Sequence, residues 1–232
     1  MSTRYSPKIV TDGLVLSLDA ANRLSYPGTS TIWYDMSGNA NTGTLTNGPT
    51  FSNRNGGSII FDGVDDFVNC GNADTINFGT GDFTIEMWAL RSTNATTNLR
   101  LLSKGGDSDL ASAAGFAFFG FDGGANFAVN PSGTRTLISA ATYSVGEWFN
   151  VVGVVQRSST IRTYKNATLV QSAAAPIGSV SNASLNLNIA RNTAGENLNW
   201  SGQISIVRMY NKALTATEVL QNYNANKTRF GL

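Results

Sequence analysis

Apolar and polar residues alternate along much of this chain with a period of two. Phe83–Leu90 (FTIEMWAL) is the clearest run: Phe83, Ile85, Met87 and Ala89 fall on one face, Thr84, Glu86, Trp88 and Leu90 on the other. Successive side chains of a strand point to opposite faces, so this spacing predicts a strand. Its second face is half apolar, which predicts cover on both sides and a place mid-sheet. Phe149–Gln156 (FNVVGVVQ) sets Val151 and Val155 on one face and Val152 and Val154 on the other, with Gly153 where a neighbour approaches closely. Shorter β-rich runs are Leu14–Leu18, Thr31–Tyr34, Leu99–Ser103, Phe116–Phe121, Asn126–Val129, Thr136–Ala140, Thr160–Lys165, Thr168–Ser172 and Leu185–Ala190. In Gly202–Tyr210 the inward set shifts from Ile204 and Ile206 to Val207 and Met209, predicting a bulge near Ser205–Val207.

One segment breaks the period. Thr215-Ala216-Thr217-Glu218 is a capping box, with Leu214 and Val219 as a hydrophobic staple, so a short helix starts there with Val219, Leu220 and Tyr223 as its apolar stripe. At about three turns it must pack on the sheets to persist. Many short strands divided by Gly, Asn, Asp and Ser turns predict an all-β sandwich or barrel with one short C-terminal helix.

The densest carboxylate cluster lies in Gly57–Gly71 (GSIIFDGVDDFVNCG). Asp62-Gly63-Val64-Asp65-Asp66 separates the runs Ser58–Phe61 and Phe67–Cys70, and the pattern predicts a tight strand–turn–strand unit. Asp62, Asp65 and Asp66 at its tip are either turn chemistry or a calcium site, because hard cations gather several carboxylate and carbonyl oxygens.

Composition removes several function classes. Net charge is +1, which argues against nucleic acid or an anionic membrane as partner. There is no apolar run long enough to span a bilayer, and the N-terminus lacks the apolar stretch of a signal peptide, so synthesis in a cytoplasm is expected. Cys70 is the single cysteine, so no internal disulfide forms. The chain has no histidine, which removes the commonest general base and transition-metal ligand. A glucanase site needs two carboxylates a few ångströms apart, and Phe83–Leu90 offers only Glu86, so no enzyme is expected.

Taken in order, several pieces resemble the laminin-G-like, or concanavalin A-like lectin/glucanase, family. These are Gly13–Asn22 (GLVLSLDAAN), Ser25–Phe51, GSIIFDGVDDFV, FTIEMWAL, Glu147-Trp148-Phe149 with Val151–Val154, and Gly202–Tyr223. The resemblance implies two packed antiparallel sheets in jelly-roll topology over residues 12–232, with residues 1–11 as an arm or tail. It departs from the family at Ser205 and Ile206, where relatives carry an acidic pair. The branch it resembles is common in bacteriophage virion proteins and bacterial surface proteins. That implies a non-enzymatic structural or adhesion protein on a virion surface, as a head decoration, fibre or tail appendage. Its partners would then be other virion proteins and copies of itself. The alternative is a calcium-dependent lectin module of a bacterial surface protein. For cell-surface carbohydrate, Trp200 beside Asn197 and Asn199 is the best surface candidate, with Trp88 beside Glu86 the second, but for each of these tryptophans a place in the core is the favoured reading; Trp33 and Trp148 are assigned to the core outright.

Overall fold

The computed structural model describes residues 8–92, 99–105, 113–121, 124–131, 135–157, 159–192 and 198–232. The strands are β1 (Leu14–Asp19), β2 (Ile32–Trp33), β3 (Gly43–Thr46), β4 (Thr50–Ser52), β5 (Ser58–Asp62), β6 (Phe67–Asn69), β7 (Phe83–Arg91) and β8 (Leu99–Lys104), followed by β9 (Gly115–Phe121), β10 (Gly124–Asn130), β11 (Thr136–Thr142), β12 (Trp148–Val155), β13 (Thr160–Lys165), β14 (Thr168–Ala174), β15 (Asn188–Ile189) and β16 (Ser201–Tyr210). Helix α1 (Ala216–Asn226) runs into a 3₁₀ turn, Lys227–Phe230.

They form two antiparallel sheets packed face to face. Sheet A has the order β14-β13-β12-β7-β16-β5-β4, with β1 also paired to β16; sheet B has the order β11-β10-β9-β8-β15-β6-β3-β2. One core fills the space between them. From sheet A it takes Phe83, Ile85, Met87 and Ala89 of β7, Val151 and Val155 of β12, and Ile204, Val207 and Met209 of β16. Sheet B supplies Leu102, Phe116, Phe118 and Phe127. Gly153 is needed where predicted: a Cβ there would stand 2.6 Å from the Phe127 ring. The bulge in β16 falls between Ile204 and Ile206, which turns Ile206 outward against Trp88.

The outer face of sheet A is also covered. Helix α1 starts at the capping box, Thr215 Oγ1 accepting from the Glu218 amide at 3.2 Å and the Thr215 amide donating to Glu218 Oε2 at 2.8 Å. Leu214 and Val219 pack with Val152, Val154 and Val10. Leu220 is exposed, however, and the helix face turned to the sheet carries Asn222 and Asn226 instead. These amides meet a buried polar strip. Glu86 Oε1 accepts from Trp88 Nε1 (3.2 Å), Asn150 Nδ2 (3.2 Å) and Arg208 (3.4 Å), and Oε2 accepts from Asn222 Nδ2 (2.8 Å). The N-terminal segment joins the cover, the Val10 amide donating to Asn222 Oδ1 at 2.8 Å and Gln221 Nε2 donating to the Lys8 carbonyl at 2.7 Å.

The strand–turn–strand unit expected at Gly57–Gly71 is not a hairpin. β5 pairs with β16 and β4 in sheet A, whereas β6 pairs with β3 and β15 in sheet B. Ile59 and Phe61 from one sheet and Val68 from the other point into the same core, so Gly63–Asp66 carries the chain around the edge of the sandwich. Leu185–Ala190 shrinks to Asn188–Ile189 because Leu185 stays half-buried in the preceding loop while Leu187 and Ile189 enter the core.

Candidate functional site

A cleft of about 360 Å³ opens where the ends of β12 and β13 meet the C-terminal turn, lined by Tyr143, Glu147, Trp148, Lys165, Asn166 and Phe230 among others. Gly146, at φ +82° with its amide donating to the Arg91 carbonyl at 2.9 Å, turns the chain into β12. Phe149 takes the core side of that strand, so Trp148 falls on the outer face. Its ring is half-buried, tilted on Phe230 at 4.7 Å between centroids, and its Nε1 donates to Asn55 Oδ1 at 3.2 Å. Across the cleft, Asn166 and Ala167 form the two-residue turn between β13 and β14, with φ of 50° and 63°. Asn166 Oδ1 accepts from the Asn150 amide at 2.9 Å, which fixes the side chain and leaves its NH₂ as the donor. Lys165 Nζ donates to the Thr142 carbonyl, and Glu147 is exposed. The cleft thus combines one aromatic surface with an amide, a carboxylate and an ammonium, the mixture typical of small-ligand sites.

The candidate carbohydrate platform lies elsewhere and is closed, and the core reading favoured for its tryptophans holds. Trp200 is fully buried in the main core, edge-on to Tyr143 at 6.1 Å, so no sugar ring reaches it. Asn199 is buried too, its Nδ2 donating to the Val64 carbonyl. Asn197 lies outside the described residues. Asn199, one of the polar neighbours that pointed to a surface, ties the chain beside this core tryptophan to the Val64 corner. Trp88 is likewise buried, stacked between Tyr223 at 5.7 Å and Phe230 at 4.4 Å, and its neighbour Glu86 is 1% exposed with four donors around it. Trp33 is core as expected, but Trp148 is not; the Gly-Glu step before it was the signal, since a tryptophan that opens a strand after a polar turn sits at the rim.

Asp62, Asp65 and Asp66 do converge, each offering a carboxylate oxygen within 4.8 Å of the others. The Asp62 amide donates to Asp66 Oδ2 at 3.0 Å and the Val64 amide to Asp62 Oδ1 at 2.8 Å, while Asn47 Nδ2 holds the Asp65 carbonyl at 3.0 Å. Asp66 is buried, and this raises its pKa; the Asp62 amide opposes the shift, and the charges of Asp62 and Asp65 add to it. The free oxygens fit the donor set a hard cation takes. Ser205 contributes nothing here. Its hydroxyl donates to the Gly57 carbonyl at 2.6 Å and accepts from Arg229, four residues along β16 from Ser201, which faces Asp62. An acidic residue at 205 would therefore stand about 13 Å away along the strand.

The two-sheet sandwich, its helix-backed outer face and the rim cleft define a lectin-like jelly-roll domain. The chain belongs to the concanavalin A-like lectin/glucanases superfamily, whose family model matches residues 61–220. No curated protein matches it by sequence. Among solved structures, the binding domain of Paraclostridial Mosquitocidal Protein 1 is similar, with a TM-score of 0.74 at 19% identity over 93% of this chain and 52% of its own. The botulinum neurotoxin serotype G binding domain gives a TM-score of 0.70 at 14% identity, over 90% of this chain and 50% of its own. A structure of botulinum neurotoxin type C gives 0.68 at 14% identity, over 93% of this chain and 52% of its own. The chain spans about half the length of these neighbours, and at such identities the likeness is one of fold.

Proposed function

We propose that the chain is a non-catalytic glycan-binding module and that the Trp148 cleft is its site. The half-exposed indole carries the reading: it offers an apolar face to a pyranose, with Asn166, Glu147 and Lys165 placed to bond its hydroxyls. The neighbours lend support as binding domains, and cell entry of botulinum neurotoxin type C is described as dependent on two ganglioside molecules. Glu86, the acid nearest to a glucanase role by sequence, has no access to substrate. A glycan array followed by calorimetry, with and without calcium, tests the proposal. Trp148→Ala is expected to weaken the selected glycan at least about tenfold. A blank array, an unchanged Trp148→Ala or release of reducing sugar from a β-glucan would overturn it.

Calcium is assigned to Asp62, Asp65 and Asp66. Bound there, it would neutralise the carboxylates and stiffen the corner between the sheets.

Display on a bacteriophage particle is the second part of the proposal. A low-charge, disulfide-free sandwich suits it, and residues 1–11 are its attachment arm; of these, residues 8–10 lie along α1. Copies would associate through β14, the edge of sheet A, where Leu169 and Val170 are exposed. Proteomics of purified particles is expected to find the protein, and sedimentation to find an oligomer. Particles without it, or a monomer, would count against this placement.

A further inference from the structure

We infer that a second cleft, on the outer face of sheet B, binds a sugar residue bearing a carboxylate. It measures about 300 Å³, is lined by Phe67, Asn69, Leu185, Asn186, Asn188 and Arg191 among others, and shares no residue with the Trp148 cleft. The inference therefore stands or falls separately from the glycan site proposed above.

The register of two short strands builds it. Asn188 of β15 lies opposite Asn69 of β6, and Ile189 lies opposite Val68. Ile189 and Val68 are fully buried in the core, so Asn188, Asn69 and Phe67 project outward together. Asn188 is only 8% exposed, yet its Oδ1 accepts no hydrogen bond. Buried acceptors are nearly always satisfied, so a ligand hydroxyl or N–H belongs there. Asn69 Oδ1 already accepts from the Gly71 amide at 2.8 Å, which leaves its NH₂ as a donor toward the cleft.

Arg191 supplies the charge. Its guanidinium sits 4.5 Å over the Phe67 ring and has no carboxylate partner among the described residues. Held over an aromatic ring, the planar fork is pre-organised for a carboxylate, which it binds with two parallel N–H bonds. The ligand must answer three demands at once: an anionic group for Arg191, a donor for Asn188 and acceptors for Asn69. A neutral sugar leaves the guanidinium unanswered. A bare inorganic anion leaves the buried acceptor unanswered. A uronic-type sugar satisfies all three, with Leu185 as an apolar wall.

Titrating the full chain by amide chemical shifts with methyl β-glucuronide, methyl β-glucoside and inorganic sulfate tests this. The glucuronide is expected to bind at least about tenfold more tightly than either of the others. Its advantage over the glucoside should vanish in Arg191→Gln, and Asn188→Leu should weaken both sugars. Affinities are read from the amides of Phe67, Asn69, Asn188 and Arg191, so a sugar held in the Trp148 cleft is scored apart from this one. Because Arg191 is partly exposed, Arg191→Gln keeps the test valid should Asn188→Leu fail to fold. Equal binding of the two sugars, no binding of either, sulfate binding as tight as glucuronide, or an unchanged Arg191→Gln would overturn the inference.

Discussion

Lys104 is of a habitually exposed residue type, yet it is completely buried here. Its Nζ donates to Asn72 Oδ1 at 2.5 Å, to the Leu185 carbonyl at 2.6 Å and to the Asn182 carbonyl at 2.8 Å, all neutral acceptors. Burial lowers its pKa to about 8, from an ordinary value of 10.5. Above pH 8 the folded chain has released this proton while the unfolded chain still holds it. Stability therefore rises with pH between about 8 and 10.5, by a few kcal/mol from this group alone. Burial pushes the Cys70 thiol and the Tyr210 phenol up, which lowers stability in the same range in both proteins, so denaturant titrations should show wild type gaining on Lys104→Met as pH rises. Parallel curves would refute the assignment. Nothing in SKGG, where this lysine stands, marks it as buried. Its three acceptors come from loops that converge only in the fold. The surface candidacy of Trp200 and the core assignment of Trp148 fail in opposite directions for a related reason: local polarity reports neighbours in the chain, whereas exposure depends on what packs over the ring. Asn188 and Arg191 escaped notice because LNLNIA reads as one half-buried strand, and only the register against β6 shows what the outward amides face.

Among the elements, strand runs and the capping box were legible because alternation and cap chemistry are local. Pairing was not. The Asp-Gly step is a turn signal in either setting, and the choice between a hairpin and a corner was made by β16 and β3, far away in sequence. Helix α1 shows the same limit. Its start follows from Thr215 and Glu218, but its buried face follows from the Glu86–Arg208 strip it covers, which prefers Asn222 to Leu220. The Asp62–Asp66 corner makes a prediction of its own. The raised pKa of Asp66 means that, without a cation, its stabilising contribution is complete below its unfolded pKa and is lost as pH rises through the folded value. Calcium favours the ionised form, so it should reverse that trend. At about a hundredfold over its Kd it should raise Tm by roughly 5–10 °C at neutral pH. A variant with Asp62, Asp65 and Asp66 all replaced by Asn should not respond. A flat wild-type melting curve with calcium would remove the cation from the corner.

At the scale of the whole molecule, the layered architecture was legible because period-two runs with two apolar faces have few other homes. Which strands lie central was legible as well: β7 and β12, covered on both sides, do sit mid-sheet. The closing of sheet A over its own chain ends was not. Central β7 is flanked by β12 and β16, β1 joins only to β16 among the described strands, and Glu86 draws its donors from positions as distant as Asn150, Arg208 and Asn222. Loop closure has to be met before such distant pairings reward it, so the topology predicts slow folding. During synthesis the order is stricter still. β1 and β5 leave the ribosome early and then wait for β16 to complete their pairing. The Glu86 strip thus acts as a late latch: Lys8–Val10 and helix α1 lock together over a sheet that β16 has only just completed.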